Sequence, residues 1–157
     1  MRFPHLLIRR YLIGLGIGAA VVVADLVTKR HAAINFDGNP VEVIPGFFGF
    51  TYLENPGGAF GMFQSGGVII GIAAVIVTIV VLVALASARP MTETVALGLV
   101  VGGAFGNLID RFARGPGIID GPVIDWIELW LIPTFNLADA SVTVAVALLV
   151  IHTWRTR

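Results

Sequence analysis

GGVIIGIAAVIVTIVVLVALASA, residues Gly66 to Ala88, is an uncharged run rich in Val and Ile. It is long enough to cross a bilayer, since the ~30 Å hydrocarbon core takes roughly 20 apolar residues as helix. Its β-branched content is no obstacle. Lipid offers no water to unpaired backbone groups, so a spanning segment of this kind satisfies them by forming a helix. Working outward, three more apolar runs appear: Tyr11 to Thr28, interrupted only by Asp25; the segment between Glu93 and Asp110; and Phe135 to Trp154, with Asp139 near its start.

Composition agrees with this reading. Hydrophobic residues make up 57% of the 157-residue chain and charged residues 13%, and the mean hydropathy is +0.91, outside the range of ordinary soluble domains. The expected fold is an all-α polytopic membrane protein with four transmembrane helices near 11–28, 66–88, 94–110 and 135–154. A single domain fills 1–157, with a small β platform at 36–64 between helices 1 and 2 and an outer loop at 112–133. Zero net charge gives no reason to expect a nucleic-acid partner. The absence of Cys excludes disulfides, thiolate catalysis and Cys-ligated metals. Arg2, Arg9 and Arg10 before an apolar run resemble a signal peptide, but no small-residue cleavage site follows and three further spans do.

Basic residues set the expected orientation. With the N-terminus inside, Arg2, Arg9, Arg10, Arg89, Arg155 and Arg157 are cytoplasmic, against Lys29, Arg30, Arg111 and Arg114 outside, the direction the positive-inside rule favours. Asp25, Asp110 and Asp139 then converge on the outer leaflet. The uncharged stretches Tyr11–Ala24, Thr94–Ile109 and Ala140–Trp154 rise only about 21 to 24 Å as helix, so these aspartates are expected at or just within the outer boundary. An ionisable group there is costly to desolvate and is a functional candidate by default. The bland alternative is that acids simply avoid the cytoplasmic face.

The outer connections add detail. Phe48, Phe50 and Tyr52 alternate with Gly49, Thr51 and Leu53, a strand period, and lead into the Gly-rich turn Glu54-Asn55-Pro56-Gly57-Gly58-Ala59-Phe60-Gly61. Asp25 and Lys29 stand at i, i+4 with the acid first, the better order for an ion pair. Asn107, Asp110 and Arg111 form one polar stripe at i, i+3 and i+4. Arg111 has the fork geometry to hold and orient a carboxylate. Membrane-edge anchoring is the structural alternative for both sets.

Few chemistries fit these groups. His5 and His152 fall on the cytoplasmic side and His31 lies alone outside, which disfavours a His-based zinc site. Ser141 with Lys29 as base is a poor nucleophile pair, because the one Lys has Asp25 as its local partner. Paired carboxylates remain, one as base and one as acid, activating water for attack on a peptide carbonyl. Spacing alone does not choose between Asp110, Asp120 and Asp125 as the partner of Asp139.

Five blocks occur in order across most of the chain: Asp25-Leu26-Val27-Thr28-Lys29, Asn55-Pro56-Gly57-Gly58-Ala59-Phe60, GGAFGNLIDR from Gly102 to Arg111, Val123-Ile124-Asp125-Trp126-Ile127, and Phe135-Asn136-Leu137-Ala138-Asp139. Together they resemble the type II lipoprotein signal peptidases, four-span intramembrane aspartyl peptidases. The resemblance implies that Asp125 and Asp139 form a catalytic dyad. The family's aspartate is followed by an aromatic and an aliphatic residue, as Asp125 is, whereas Asp120 precedes Gly-Pro. It further implies that Asn55, Gly58, Asn107, Arg111 and Asn136 position substrate or support the dyad, with Asp25, Lys29 and Asp110 structural. Leu26 departs from the family's usual Gln. Implied too are a lipid-modified prolipoprotein substrate cleaved before its diacylglyceryl-cysteine, contact with membrane lipid, a monomer, no metal or cofactor, and a bacterial inner-membrane location with both termini cytoplasmic. A proton-coupled transporter and a purely structural scaffold are the competing readings.

Overall fold

The computed structural model describes residues 4–57, 67–87 and 90–156. Helix α1 spans Pro4–Asn35, strands β1 and β2 span Val41–Ile44 and Phe48–Asn55, and helices α2 and α3 span Gly67–Leu85 and Met91–Ala113. Strands β3 (Val123–Leu129) and β4 (Ile132–Phe135) then lead into helix α4, Leu137–Arg155. All four helices are long and apolar enough to cross a membrane.

α3 is the axis of the bundle, and glycine lets its neighbours reach it. A Cβ on Gly98 would stand 2.6 Å from the Gly14 carbonyl oxygen, and one on Gly102 would stand 2.7 Å from that of Gly18. The Gly14/Gly18 and Gly98/Gly102 pairs, each with four-residue spacing, therefore bring α1 and α3 into backbone contact. Apolar tails in lipid supply no hydrophobic driving force for helix association, so close packing of small residues takes its place. On another face of α3, a Cβ on Gly103 would stand 2.5 Å from the Ala138 carbonyl oxygen and 2.6 Å from Ser141 Oγ of α4.

The strands form one antiparallel sheet in the order β1-β2-β3-β4. Leu53 pairs with Asp125 and Asn55 with Val123, and the register slips between Phe50 and Leu53. That bulge inserts one residue on β2 and turns the remainder of the strand. The sheet corrects the sequence expectation at 112–133, where a loop was expected: β3 lies there and β4 begins there, so the platform draws two of its strands from between α3 and α4. Val123-Ile124-Asp125-Trp126-Ile127 has the composition of a strand, but its partner β2 is far away in sequence. Phe135, expected at the start of the fourth span, instead ends β4. The first helix also outruns its expected limits. Arg9, Arg10, Lys29 and Arg30 do not stop it; Asp37-Gly38-Asn39-Pro40 does, with Gly38 at φ 69°.

The glycine contacts predict a sharp contrast between two substitutions in purified protein. Gly98→Leu meets backbone at Gly14 and should cost about 1–3 kcal/mol or more, whereas Gly16→Ala, with nothing within 4 Å, should leave thermal unfolding unchanged. Equal unfolding curves for both variants would contradict the packing.

Candidate active site

The polar groups gather at the end of the bundle where α1 and α3 run toward the sheet and α4 starts. Lys29 is 1% exposed and Asp25 is fully buried. The Lys29 ammonium lies 2.6 Å from Asp25 Oδ2 and 2.7 Å from Asp110 Oδ2, and it donates to Asn107 Oδ1 at 2.9 Å. The ammonium thus has two carboxylates as ion-pair partners and one amide oxygen as a hydrogen-bond acceptor. Asp110 Oδ1 is paired with Arg114 Nε at 2.8 Å, and Asp25 Oδ1 accepts from the Ala138 backbone N–H at 2.9 Å. Two anions thus face two cations. Burying charge is tolerable only with pairing this complete.

Three asparagines carry the order from this cluster to Asp125 and Asp139. Asn107 accepts from Lys29 through Oδ1 and donates through Nδ2 to Asp139 Oδ1 at 2.8 Å. Asn55 accepts from the Gly57 N–H at 3.0 Å and donates to Asp125 Oδ2 at 2.9 Å. Asn136 is the N-cap of α4. Its Oδ1 accepts from the Asp139 N–H at 2.9 Å, its own N–H donates to Asp139 Oδ2 at 3.4 Å, and its Nδ2 donates to Asp125 Oδ1 at 2.7 Å. The Asn107 Oδ1 and the Ile124 carbonyl, at 3.1 and 3.2 Å, share the remaining capacity of that amide. In each case a donor bound by the carbonyl end fixes the amide orientation, so the NH2 end faces a carboxylate.

One residue therefore links both aspartates, Asp125 by its side chain and Asp139 through a capping box. The other candidate acids are engaged elsewhere. Asp110 is committed to Lys29 and Arg114, while Asp120 closes a turn by accepting from the Gly117 N–H at 3.0 Å. Asp125 is 2% exposed. Burial pushes its carboxyl up to about 6, with the Asp139 charge adding to the rise and hydrogen bonds from Asn55 and Asn136 opposing it.

Arg111 differs from the expectation that it grips a carboxylate. Its guanidinium donates to the carbonyls of Gly57 at 2.7 Å and Gly121 at 3.4 Å, tying the turn after β2 to the loop before β3. Gly58, expected beside the site, lies outside the described residues. The sequence reading missed two backbone contributors, the N–H groups of Ala138 and Ile124, the latter 3.4 Å from Asp110 Oδ2; a backbone amide leaves no signature in residue type.

A family model described as signal peptidase (SPase) II matches residues 17–155. The chain belongs to the signal peptidase II family. It is 42% identical over 134 residues to the lipoprotein signal peptidase of Symbiobacterium thermophilum, covering 83% of this chain and 87% of that one. The lipoprotein signal peptidase of Rhodococcus jostii is 38% identical over 138 residues, 87% of this chain and 70% of that one. A solved bacterial membrane enzyme superposes with a TM-score of 0.79 at 31% identity, covering 91% of this chain and 88% of the other. The transporter reading gains no support from these relatives of a signal peptidase II chain.

Two predictions follow from the geometry of Asn136 and Asp125. Asn136→Ser and Asn136→Ala both lose the amide donor to Asp125, but only serine keeps an N-cap, so in thermal unfolding the alanine variant should be about 1 kcal/mol less stable than the serine variant. Because the folded state raises Asp125 from 3.8 to about 6, its ionisation opposes folding. That penalty is full above about 6 and fades as pH falls toward the unfolded value. Acidification through this window should therefore stabilise wild type relative to Asp125→Asn, as read by thermal unfolding of both proteins at several pH values, and parallel curves would contradict the burial argument.

Proposed function

We propose that this chain is an intramembrane aspartyl endopeptidase that removes signal peptides from prolipoproteins, with Asp125 and Asp139 as its catalytic pair. The observation that carries the reading is the single asparagine, Asn136, hydrogen-bonded to both carboxyl-bearing residues. Membership of the signal peptidase II family supports the reaction class, and the names of the relatives support the substrate class.

The reaction needs one carboxylate and one carboxyl. The carboxylate takes a proton from water, the water oxygen bonds to the scissile carbonyl carbon, and the carboxyl gives its proton to the carbonyl oxygen. When the resulting diol collapses, the C–N bond breaks and the nitrogen takes the proton first removed from water. The diol returns the other proton to the pair, so the starting protonation is restored. Two carboxyl groups sharing one water and one peptide carbonyl work as a pair with a single proton between them.

Asn55, Asn107 and Asn136 hold the carboxyl groups in orientation, while Arg111 fixes the two loops beside them. Asp25, Lys29 and Asp110 anchor α1 and α3 at the level of the pair. In this reading both termini are cytoplasmic and the pair lies at the outer leaflet of the inner membrane, where the scissile amide before the diacylglyceryl-cysteine meets water while its lipid stays among the helices. The enzyme works as a monomer and draws its substrate from the surrounding lipid.

Purified protein in nanodiscs with a fluorogenic, diacylglyceryl-modified lipopeptide tests this directly. Asp125→Asn and Asp139→Asn should each lower turnover by at least about 10³-fold while remaining folded and inserted. Activity within tenfold of wild type in either variant would overturn the assignment.

A further inference from the structure

Asp125 and Asp139 sit in unequal surroundings. Asp139 occupies the third position of α4, where the helix dipole favours a negative charge, and its Oδ2 accepts from the Asn136 backbone N–H at 3.4 Å. Its Oδ1 accepts from Asn107 Nδ2 at 2.8 Å, and the carbonyl end of that same amide receives the Lys29 ammonium at 2.9 Å. An amide whose oxygen binds a cation is polarised, and its N–H groups become stronger donors. Among the described residues, Asp125 has no such relay. It stands on a strand, and its hydrogen-bond donors are the neutral amides of Asn55 and Asn136, one on each oxygen.

The surrounding charges add up to a pair carrying a single negative charge. Lys29 and Arg114 are matched by Asp25 and Asp110. Arg111, 4% exposed, spends its hydrogen bonds on two carbonyls and feels Asp125, Asp110 and Asp139 only through space. α2 brings no charged residue. One anion shared by Asp125 and Asp139 balances Arg111; two would leave an excess negative charge beside the buried Asp125.

We propose that Asp125 carries the proton the pair shares, and that Lys29, acting through Asn107, keeps Asp139 as its unprotonated partner. The assignment rests on the reading of these aspartates as the catalytic pair and gives each its role. Asp139 takes the proton from the attacking water, and Asp125 supplies the one that goes to the carbonyl oxygen. On collapse, Asp139 passes its proton to the departing nitrogen and the diol returns the other to Asp125. Lys29 and Asn107 are positioning residues, since they touch neither water nor peptide. Lys29 and Arg111 also attract charge onto Asp125 through space, but only Asp139 receives the Lys29 charge through a hydrogen-bonded relay. Burial raises the Asp125 carboxyl above the usual carboxylate range, the direction that favours a proton there.

The test is infrared difference spectroscopy of the full chain, labelled with ¹³C-carboxyl aspartate, in nanodiscs without substrate. The protonated-carboxyl band of the pair should vanish in Asp125→Asn and persist in Asp139→Asn, its midpoint moved to lower pH because the neighbouring charge is gone. In the Asp125→Asn background, adding Asn107→Leu should bring a band back, with a midpoint at least about one pH unit above that of Asp125→Asn alone. The smaller Asn107→Ala serves the same purpose should the leucine variant fail to fold. The reverse pattern, with the band lost in Asp139→Asn and kept in Asp125→Asn, would overturn the proton assignment. No response to either Asn107 change would overturn the role of Lys29. These bands are read without turnover, so undiminished cleavage in both single Asp→Asn variants would sink the peptidase assignment without moving them.

Discussion

A lysine buried at the end of a membrane helix bundle is the constraint around which this structure is arranged. The Lys29 ammonium, almost wholly removed from solvent, is tolerable only if each of its N–H groups finds an acceptor and its charge finds anions. Asp25 on its own helix and Asp110 on α3 supply the anions, and Asn107 on α3 accepts a hydrogen bond. Meeting that demand fixes the axial register of α1 against α3. The glycine contacts at Gly14, Gly18, Gly98 and Gly102 make the approach close enough for it to be met. Asp25 then reaches across to the Ala138 N–H, which sets the start of α4 and with it the height of Asp139.

The sheet completes the site from the other side. Strand β3 delivers Asp125, β2 delivers Asn55 beside it, and Arg111 ties the turn after β2 to the loop before β3. Asn136 joins the two halves because it ends the extended segment and caps the helix at once. One residue caps α4 and touches both carboxyl groups, that of Asp125 through its side-chain amide and that of Asp139 through its backbone N–H. This explains how so small a protein builds an oriented polar site where water is scarce.

Much of this was legible in the residues. The spans are visible because their apolar runs are long, and the Asp25–Lys29 pair because helix spacing is local. The convergence of Asp25, Asp110 and Asp139 follows from counting spans. The second half of the sheet was not legible: Val123–Ile127 reads as a strand only when β2 is beside it, and a nonlocal pairing leaves no mark in a local window. The partners of Arg111 were not legible for a related reason. Its charge suggested a carboxylate partner, but Asp110 already belongs to Lys29 and Arg114, and the nearest acceptors are carbonyls brought in by two distant loops. The choice of Asp125 over Asp120 came from family resemblance; Asn136 donates to Asp125, while Asp120 accepts from Gly117 in its own turn.

The central claim, that Asp125 and Asp139 act together on one peptide bond, is tested most directly by a crystal structure with a diacylglyceryl lipopeptide whose scissile amide is replaced by a hydroxyethylene group. That hydroxyl mimics the oxygen of the attacking water, and the account predicts it between the two carboxyl groups, within hydrogen-bond distance of both. A lipopeptide bound with its hydroxyl contacting only one of the aspartates, or neither, would contradict it.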